Sequence, residues 1–269
     1  MGTQMSSSSN QTEQIREFFD QDSARYLPTR YTSEYRDCHQ YSYIVRRTRV
    51  LDLLGQVGGR VLDVGCGPGV FTRDLLDRGC RIVACDISQM MIEQVRTRFP
   101  HEVETGVVQC HVGEIHGMDA EPESFDAAIC IGVMAYIADE DHFLRKLASL
   151  LKPGGYAVIQ YSKKRSPKAL HEQYVYPLLT RLKCLVAGHR QSSANWDFTL
   201  RRYHPKQFNA VMASHGLQIE DSAQFDYTLP LLSSVATRAN LWFAESMERG
   251  RRGILTSLLA GDYVARYRK

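Results

Sequence analysis

Three glycines alternate with other residues in the stretch "LDVGCGPG", where Gly65, Gly67 and Gly69 follow a short apolar run. Glycine has no side chain, so the backbone at these positions can approach a bound molecule closely. Asp63 lies inside the same stretch, and Asp86 ends the next apolar run, "RIVACD". In a parallel α/β sheet, ligands bind beyond the carboxyl ends of the strands, and an acid there can accept hydrogen bonds from both hydroxyls of a ribose. The loop and the acid together predict a nucleoside site rather than a plain structural turn.

The spacing of the glycines separates one class of nucleoside from another. The dinucleotide-binding pattern is G-x-G-x-x-G, whereas the third glycine here, Gly69, arrives one residue early. A carboxylate at Asp63 would repel a pyrophosphate, but it suits a ligand that bears an ammonium group. No G-K-[S/T] follows the loop, so the Walker phosphate-binding pattern is absent. An NAD-dependent oxidoreductase therefore stays a disfavoured alternative.

The elements that must hold these loops alternate between strand and helix from Arg60 onward. Short apolar runs predict seven strands, at Arg60–Val64, Arg81–Asp86, Gly106–His111, Phe125–Ile131, Tyr156–Tyr161, Leu217–Phe225 and Asp262–Tyr267. Amphipathic patterns predict helices at Glu13–Ala24, Ser42–Gln56, Val70–Arg78, Ser88–Phe99, Asp139–Leu151, Lys206–His215 and about Leu231–Leu259. This alternation predicts an α/β fold with a doubly wound, mostly parallel, seven-stranded sheet that helices cover on both faces.

The composition argues against several classes of protein. The 269 residues fit one large α/β domain, and the net charge of +3 gives little electrostatic reason to expect nucleic acid. The seven cysteines include no C-x-x-C pair, so we expect no zinc site or disulfide framework and favour a cytoplasmic location. No apolar run approaches the roughly 18 residues that a membrane-spanning helix needs.

Several stretches, in order, carry a resemblance to one family. "VLDVGCGPG" resembles motif I of class I S-adenosylmethionine-dependent methyltransferases, and "ACDIS" resembles their ribose-binding second motif. "FDAAICIGVMAYI" is similar to the fourth strand and its loop, and "LKPGGYAVI" to a late signature of the family. The matching elements extend from Arg60 to Tyr161, and their order resembles the small-molecule group that includes ubiquinone-pathway O-methyltransferases. The resemblance implies the Rossmann-like methyltransferase fold.

The resemblance also implies a cofactor, S-adenosylmethionine, and a set of residues that bind it. Asp63 would favour the ammonium group of the methionine portion, and Asp86 would hold the ribose. Glu114 replaces the usual aspartate and would accept from the adenine amino group. The complete predicted set is Tyr26, Asp63, Gly65, Cys66, Gly67, Gly69, Asp86, Ile87, Met91, Gly113, Glu114, Ile115, Ile131 and Gly132.

The methyl acceptor is narrowed mainly by patterns that the sequence lacks. Nucleic-acid amine methyltransferases of this fold carry [DNS]-P-P-[YFW] after the fourth strand, where this chain has "IGVM". That difference favours a small molecule, and an RNA methyltransferase recruited by the basic patches is the alternative. The segment after the fifth strand and the C-terminal helical stretch are rich in large apolar residues. These either cover a bulky or lipophilic acceptor or pack as ordinary helices.

Methyl transfer from a sulfonium is an in-line displacement, so aligning the acceptor and excluding water supply much of the acceleration. A base is needed only where the acceptor loses a proton in the step. Our candidates for catalysis are Tyr136 and His204, and we predict no metal site. Each has an alternative role, because Tyr136 could pack against the cofactor and His204 could begin the helix at Pro205.

The chain is expected to have three parts. Residues 1–12 are predicted as a disordered leader, and residues 13–57 as a helical segment that the resemblance identifies with a lid over the cofactor. Residues 58–269 form the predicted methyltransferase core. An inserted helical cap, at about residues 163–203, interrupts the alternation after the fifth strand.

Overall fold

The computed structural model describes residues 3–32, 34–179, 200–233, 235–250 and 253–269, with side chains described from residue 11 onward. Much of the predicted inserted cap, over residues 180–199, therefore lies outside the described residues. None of the helices within the described ranges is long and apolar enough to cross a membrane.

A seven-stranded sheet forms the centre of the protein, in the order β3-β2-β1-β4-β5-β7-β6. The strands are β1 (Arg60–Val64), β2 (Arg81–Asp86), β3 (Val108–Val112), β4 (Phe125–Ile131), β5 (Leu151–Ser162), β6 (Gln218–Phe225) and β7 (Asp262–Arg268). The pairs among β1 to β5 are parallel, whereas β7 runs antiparallel to both β5 and β6. The doubly wound, mostly parallel seven-stranded fold predicted from the sequence is confirmed.

Helices cover both faces of the sheet. They include α1 (Thr3–Arg30), α2 (Cys38–Leu54), α3 (Thr72–Leu76), α4 (Gln89–Arg98), α5 (Pro100–Glu104), α6 (Glu140–Leu150), α7 (Pro167–Leu170), α8 (Pro205–Ser214), α9 (Thr237–Arg249) and α10 (Ile254–Leu259). Successive residues of a strand point to opposite faces of the sheet. Leu62 and Cys130 pack in one apolar cluster, while Val61 and Ile129 pack in another. The strands are therefore buried on both sides, as continuous apolar runs require.

The register brings the predicted ligand-binding residues to one edge of the sheet. Val64 at the end of β1 pairs with Cys85 of β2 on one side and with Cys130 of β4 on the other. The residues that follow these three strands therefore meet, as expected for parallel strands. We call this region, formed by residues 63–69, 86–88 and 131–133, the strand edge.

The N-terminal helix is longer than the sequence predicts. The helix α1 begins at Thr3, inside the span 1–12 predicted as a disordered leader, and continues past Ala24 to Arg30. Extending an existing helix adds one hydrogen bond for each residue fixed, whereas nucleation is the costly step. The amphipathic stretch from Glu13 can therefore propagate in both directions.

The C-terminal helical stretch is divided, although the sequence predicts one helical region over Leu231–Leu259. Gly250 follows α9 and Gly253 precedes α10. Glycine in a helix interior costs backbone entropy, which favours a break at this point.

In the predicted insertion, α7 is followed by a single π-helical turn, His171–Val175.

Candidate functional site

A cavity of about 610 Å³ opens between the strand edge and α1. Its walls include most of the predicted cofactor residues, namely Tyr26, Gly65, Gly67, Asp86, Ile87, Met91, Gly113, Glu114, Ile115, Ile131 and Gly132. Asp63, Cys66 and Gly69 from the predicted set lie outside the wall. Tyr136 lines the cavity and His204 does not. The volume is in the range of protein sites for small organic ligands.

The glycine loop follows the end of β2 through backbone hydrogen bonds. The amides of Gly65 and Cys66 both donate to the Cys85 carbonyl, at 2.7 and 3.1 Å. Gly65 has a φ of +65°, and a Cβ at this position would lie 2.1 Å from Cγ2 of Val133. Only glycine fits this conformation and space without rearrangement, so the backbone itself forms this wall.

Gly69 has a different role from the other two glycines. A Cβ there would lie 2.9 Å from the ring of Phe99, which follows α4. This glycine lets the loop pack closely against the end of α4, which explains why it does not line the cavity. Cys66 is also turned away, because its buried side chain packs in an apolar cluster with Phe71.

Asp86 is held from two sides by backbone amides. Gly67 donates to its Oδ2 at 2.8 Å and Ser88 to its Oδ1 at 2.9 Å. Burial raises the pKa of this carboxyl to about 6, although these two hydrogen bonds lower it in part. A carboxylate offers about four acceptor positions, so each oxygen can accept a further bond from a ligand hydroxyl.

Asp63 lies beneath the loop and is 2% exposed. Its Oδ2 is buried and has no hydrogen-bond partner among the described residues. Burial, followed by the charge of Asp86, raises the pKa of Asp63 to about 8. A cationic group nearby would favour the ionised carboxylate and satisfy its unpaired oxygen. The site therefore fits an ammonium group, reached directly or through water.

One end of the cavity suits a flat heterocycle. Met91 and Ile115 are almost fully buried and form apolar walls, and Glu114 accepts a hydrogen bond from Thr12 of α1 at 3.4 Å. The imidazoles of His116 and His142 stack beside them with ring centroids 3.7 Å apart. These two histidines line the cavity, and no sequence pattern predicts them.

The other end lies beyond β4, where Ile131, Gly132 and Val133 line the wall. Tyr136 packs edge-to-face against Phe19 of α1, with ring centroids 5.3 Å apart. Burial, followed by Tyr43, raises the pKa of Tyr136 to about 12. Its hydroxyl therefore stays protonated at neutral pH and can donate a hydrogen bond.

His204 occupies the N-cap position of α8, with extended backbone angles and no side-chain capping bond. The helix begins at Pro205, which suits the first helical position because it has no amide proton to leave unpaired. His204 is therefore the residue at which α8 begins, and it does not line the cavity.

We call the helices α1 and α2 together the helical cover, of which α1 closes one side of the cavity. Five residues of α1 line it: Thr12, Glu13, Ile15, Phe19 and Tyr26. Most of them recur on one face of the helix, which is the spacing that brings residues together in an α-helix. In this segment the sequence predicts only Tyr26 as a cofactor residue. The helical spacing of the apolar residues Ile15 and Phe19 is the sequence feature that could have identified these two as further wall residues.

Arg46 of α2 is a further candidate residue that no sequence pattern predicts. Its Nη1 would lie 3.4 Å from a Cβ at Gly132, its Nη2 donates to the Tyr31 hydroxyl, and its guanidinium lies 4.2 Å from the Tyr43 ring centroid. It has no carboxylate partner among the described residues, and its Nε is buried without a hydrogen bond. The buried Oε1 of Gln160, also unpaired within the described ranges, lies on the same side of Gly132. A half-buried cation of this kind suits an anionic ligand group.

Comparison with known proteins gives concordant matches. A family model described as a methyltransferase domain matches residues 62–159. The "Ubiquinone biosynthesis O-methyltransferase" of Xanthomonas euvesicatoria is 31% identical over 184 residues, which cover 66% of this chain and 70% of that protein.

Two solved structures show the same fold at low identity. The (4+2)-cyclase SpnF is 19% identical, with a TM-score of 0.62, and the match covers 96% of each chain. A geranyl diphosphate methyltransferase in complex with GPP and sinefungin is 17% identical, with a TM-score of 0.55, over 86% of this chain and 78% of that one.

Proposed function

The chain belongs to the class I S-adenosylmethionine-dependent methyltransferases, and from this premise we propose that its cavity binds S-adenosylmethionine and that it methylates an oxygen of a small-molecule acceptor. The observation that carries the proposal is the pair of buried carboxyls at the strand edge. Asp63 has an unpaired oxygen beneath the glycine loop, and Asp86 keeps acceptor capacity inside the cavity. Family membership argues against an NAD-dependent oxidoreductase, the alternative that the glycine loop leaves open.

The proposed cofactor contacts follow from the charges around the cavity. Asp63 and the Oε1 of Gln160 would satisfy the ammonium group, and Arg46 would pair with the carboxylate of the same methionine portion. Asp86 would accept from the ribose hydroxyls, with Met91 and Ile115 against the adenine. The fit is supported by atoms that otherwise lack partners in the described chain: an acidic oxygen, an amide oxygen and a guanidinium nitrogen.

S-adenosylmethionine supplies an electrophilic methyl group on a sulfonium. This chain's contribution is to orient the acceptor and to exclude water. Phe19 and Tyr136 meet edge-to-face over the end of the cavity beyond β4, where they would limit access of solvent. Because Tyr136 stays protonated, we give it an orienting role, in which its hydroxyl donates to the acceptor and does not remove a proton. We assign His204 no contact with the acceptor.

Several observations support a small and partly apolar acceptor over RNA. Phe19, Val133, Ile137 and Phe143 give the cavity an apolar wall near Tyr136. Transfer to oxygen is proposed because the curated relative is named as an O-methyltransferase. A lipophilic acceptor agrees with the structural neighbour named for geranyl diphosphate.

The proposal is tested in two steps. Calorimetric titration of the full chain with S-adenosylmethionine should show one site, and Asp86→Ala should weaken it about 100-fold through loss of hydrogen bonds to a charged group. Asp77→Ala is the matched control, because it removes a well-exposed carboxylate from the end of α3. No binding by the wild type, or undiminished binding by Asp86→Ala, would refute the cofactor site.

The second step identifies the acceptor. Cell extract from the source organism is incubated with the enzyme and methyl-labelled cofactor, and the labelled product is analysed by mass spectrometry and NMR. We expect a small molecule with a new methoxy group. Label that appears only in RNA would overturn the proposed acceptor class and leave the cofactor site intact.

A further inference from the structure

Asp20 joins the helical cover to the strand edge. Its Oδ1 accepts a hydrogen bond from the Ser88 hydroxyl at 2.6 Å and another from the Met90 amide at 3.2 Å. Ser88 is the N-cap of α4 and accepts from the Met91 amide at 3.1 Å. The first turn of α4 thus has two capping side chains, one of them from a distant helix. An anion at this position is favoured by the unpaired amides and by the helix dipole.

Ser88 lies between two carboxylates. Its amide donates to Asp86, the proposed ribose acceptor, and its hydroxyl donates to Asp20. Besides burial, which has the largest effect, the charge of Asp20 also raises the pKa of Asp86, so the two carboxylates are close enough to repel each other. Hydroxyl donors on Asp86 would disperse its charge and reduce this repulsion. Occupation of the ribose position therefore favours the docked position of Asp20.

The hydrogen bonds of Asp20 fix the positions of the neighbouring side chains on α1. Phe19, the preceding residue, lines the cavity and contacts Tyr136. Ile15 and Tyr26, one and two turns away, line the same cavity. Because an α-helix is rigid over such short distances, the carboxylate that fixes the helix at residue 20 also fixes these three side chains over the cavity.

We propose that Asp20 is a positioning residue that holds α1 closed over the bound cofactor, and that Ser88 couples this closure to the ribose contact of Asp86. The inference rests on the proposed function, because it takes the cavity as the cofactor site. It assigns to Asp20 no contact with the cofactor itself. Its effect should therefore appear in how fast the cofactor product leaves rather than in the chemical step.

The test compares variants of one helix. Dissociation of S-adenosylhomocysteine from the full chain is measured by stopped-flow displacement for the wild type, Asp20→Ala, Asp20→Asn and Glu17→Ala. Glu17 is the matched control, because it is an exposed carboxylate on the same helix and does not line the cavity. Asp20→Ala should speed dissociation about 10-fold, the order expected for losing a charge-assisted hydrogen bond. Asp20→Asn should lie between it and the wild type, because the amide oxygen can still accept both bonds.

A second readout follows the position of α1. Bound S-adenosylhomocysteine should protect the wild type from trypsin at Arg25, and Asp20→Ala should lose this protection while Glu17→Ala keeps it. Dissociation rates of both Asp20 variants equal to that of Glu17→Ala would overturn the inference. A wild type that does not bind S-adenosylhomocysteine would instead refute the proposed function, so the two failures are distinguishable.

Discussion

The strand edge and the helical cover face the same cavity, but they are held in different ways. At the strand edge the backbone itself is fixed, because Gly65 and Cys66 both donate to the end of β2. In the cover, side chains make the attachments, through the carboxylate of Asp20 and the guanidinium of Arg46. A backbone wall cannot move without unfolding its strand, whereas a docked helix can detach. We therefore expect changes to the backbone of the glycine loop to alter stability, and changes to the side chains of the cover to alter binding.

The largest expected effect is the loss of stability in Gly65→Ala. The new Cβ would overlap Val133 at 2.1 Å, and the backbone is in a left-handed conformation with φ +65°. Gly79→Ala is the matched control, because Gly79 has a φ of +74° and no atom within 4 Å of the same position. Urea unfolding should show Gly65→Ala to be less stable than Gly79→Ala by about 2 to 4 kcal/mol. Equal stability of the two variants would contradict the expectation, because it would show that the backbone at Gly65 can shift to make room for the Cβ.

Arg46→Ala should weaken cofactor binding more than it lowers stability. It removes the cation proposed to pair with the cofactor carboxylate, so the affinity for S-adenosylmethionine should fall about 10- to 100-fold. Arg47→Ala, the neighbouring change, removes an arginine that pairs with Asp74 instead. Titration calorimetry and thermal unfolding of both variants provide the measurement. A loss of stability in Arg46→Ala with unchanged affinity would contradict the proposed role.

Asp63→Asn should change how stability depends on pH. The folded pKa of Asp63, about 8, lies above its ordinary value near 3.8, so the folded protein binds an extra proton between these values. Stability is therefore lost as the pH rises toward 8. Between pH 6.5 and 8, where Asp86 is already mostly ionised, the wild type should lose about 1 to 2 kcal/mol that Asp63→Asn does not lose. Urea unfolding of both proteins at several pH values measures this difference. Equal changes in the free energy of unfolding with pH would contradict the expectation.

The smallest expected effect is at the contact between the edge and the cover. Tyr136→Phe keeps the ring packed against Phe19 and removes only the hydroxyl. If the hydroxyl orients the acceptor, kcat should fall roughly 3- to 10-fold, as for a lost hydrogen bond, with cofactor affinity unchanged. Steady-state kinetics with the identified acceptor measure this change. Full kcat in Tyr136→Phe would contradict the orienting role of the hydroxyl.

The strand edge could be predicted from the sequence because its determinants are local. The bounds of β1, β2 and β4 agree residue for residue with the prediction, since each is an apolar run that a glycine or an acid follows. The glycine loop and Asp86 are adjacent to these strands in the chain. Parallel pairing then brings them together without further information.

The helical cover could not be predicted to the same extent because tertiary contacts decide it. Arg46, Arg47 and Arg49 lie close together in the sequence, and only the packing of α2 determines that Arg46 lies beside Gly132 while the other two pair with Asp74 and Glu248. The contact of Asp20 with Ser88 likewise joins residues that are 68 apart in the chain. Local periodicity contains no signal for such a contact.

The most direct test of the account is the pH dependence of cofactor binding. If the unpaired carboxyl of Asp63 meets the ammonium group of S-adenosylmethionine, binding must ionise it, so affinity should rise about 10-fold between pH 6.0 and 7.5. Asp63→Asn should lose most of this rise. Calorimetric titration of both proteins across this range decides the matter: a wild-type affinity that does not change with pH, or no binding at all, would contradict the account.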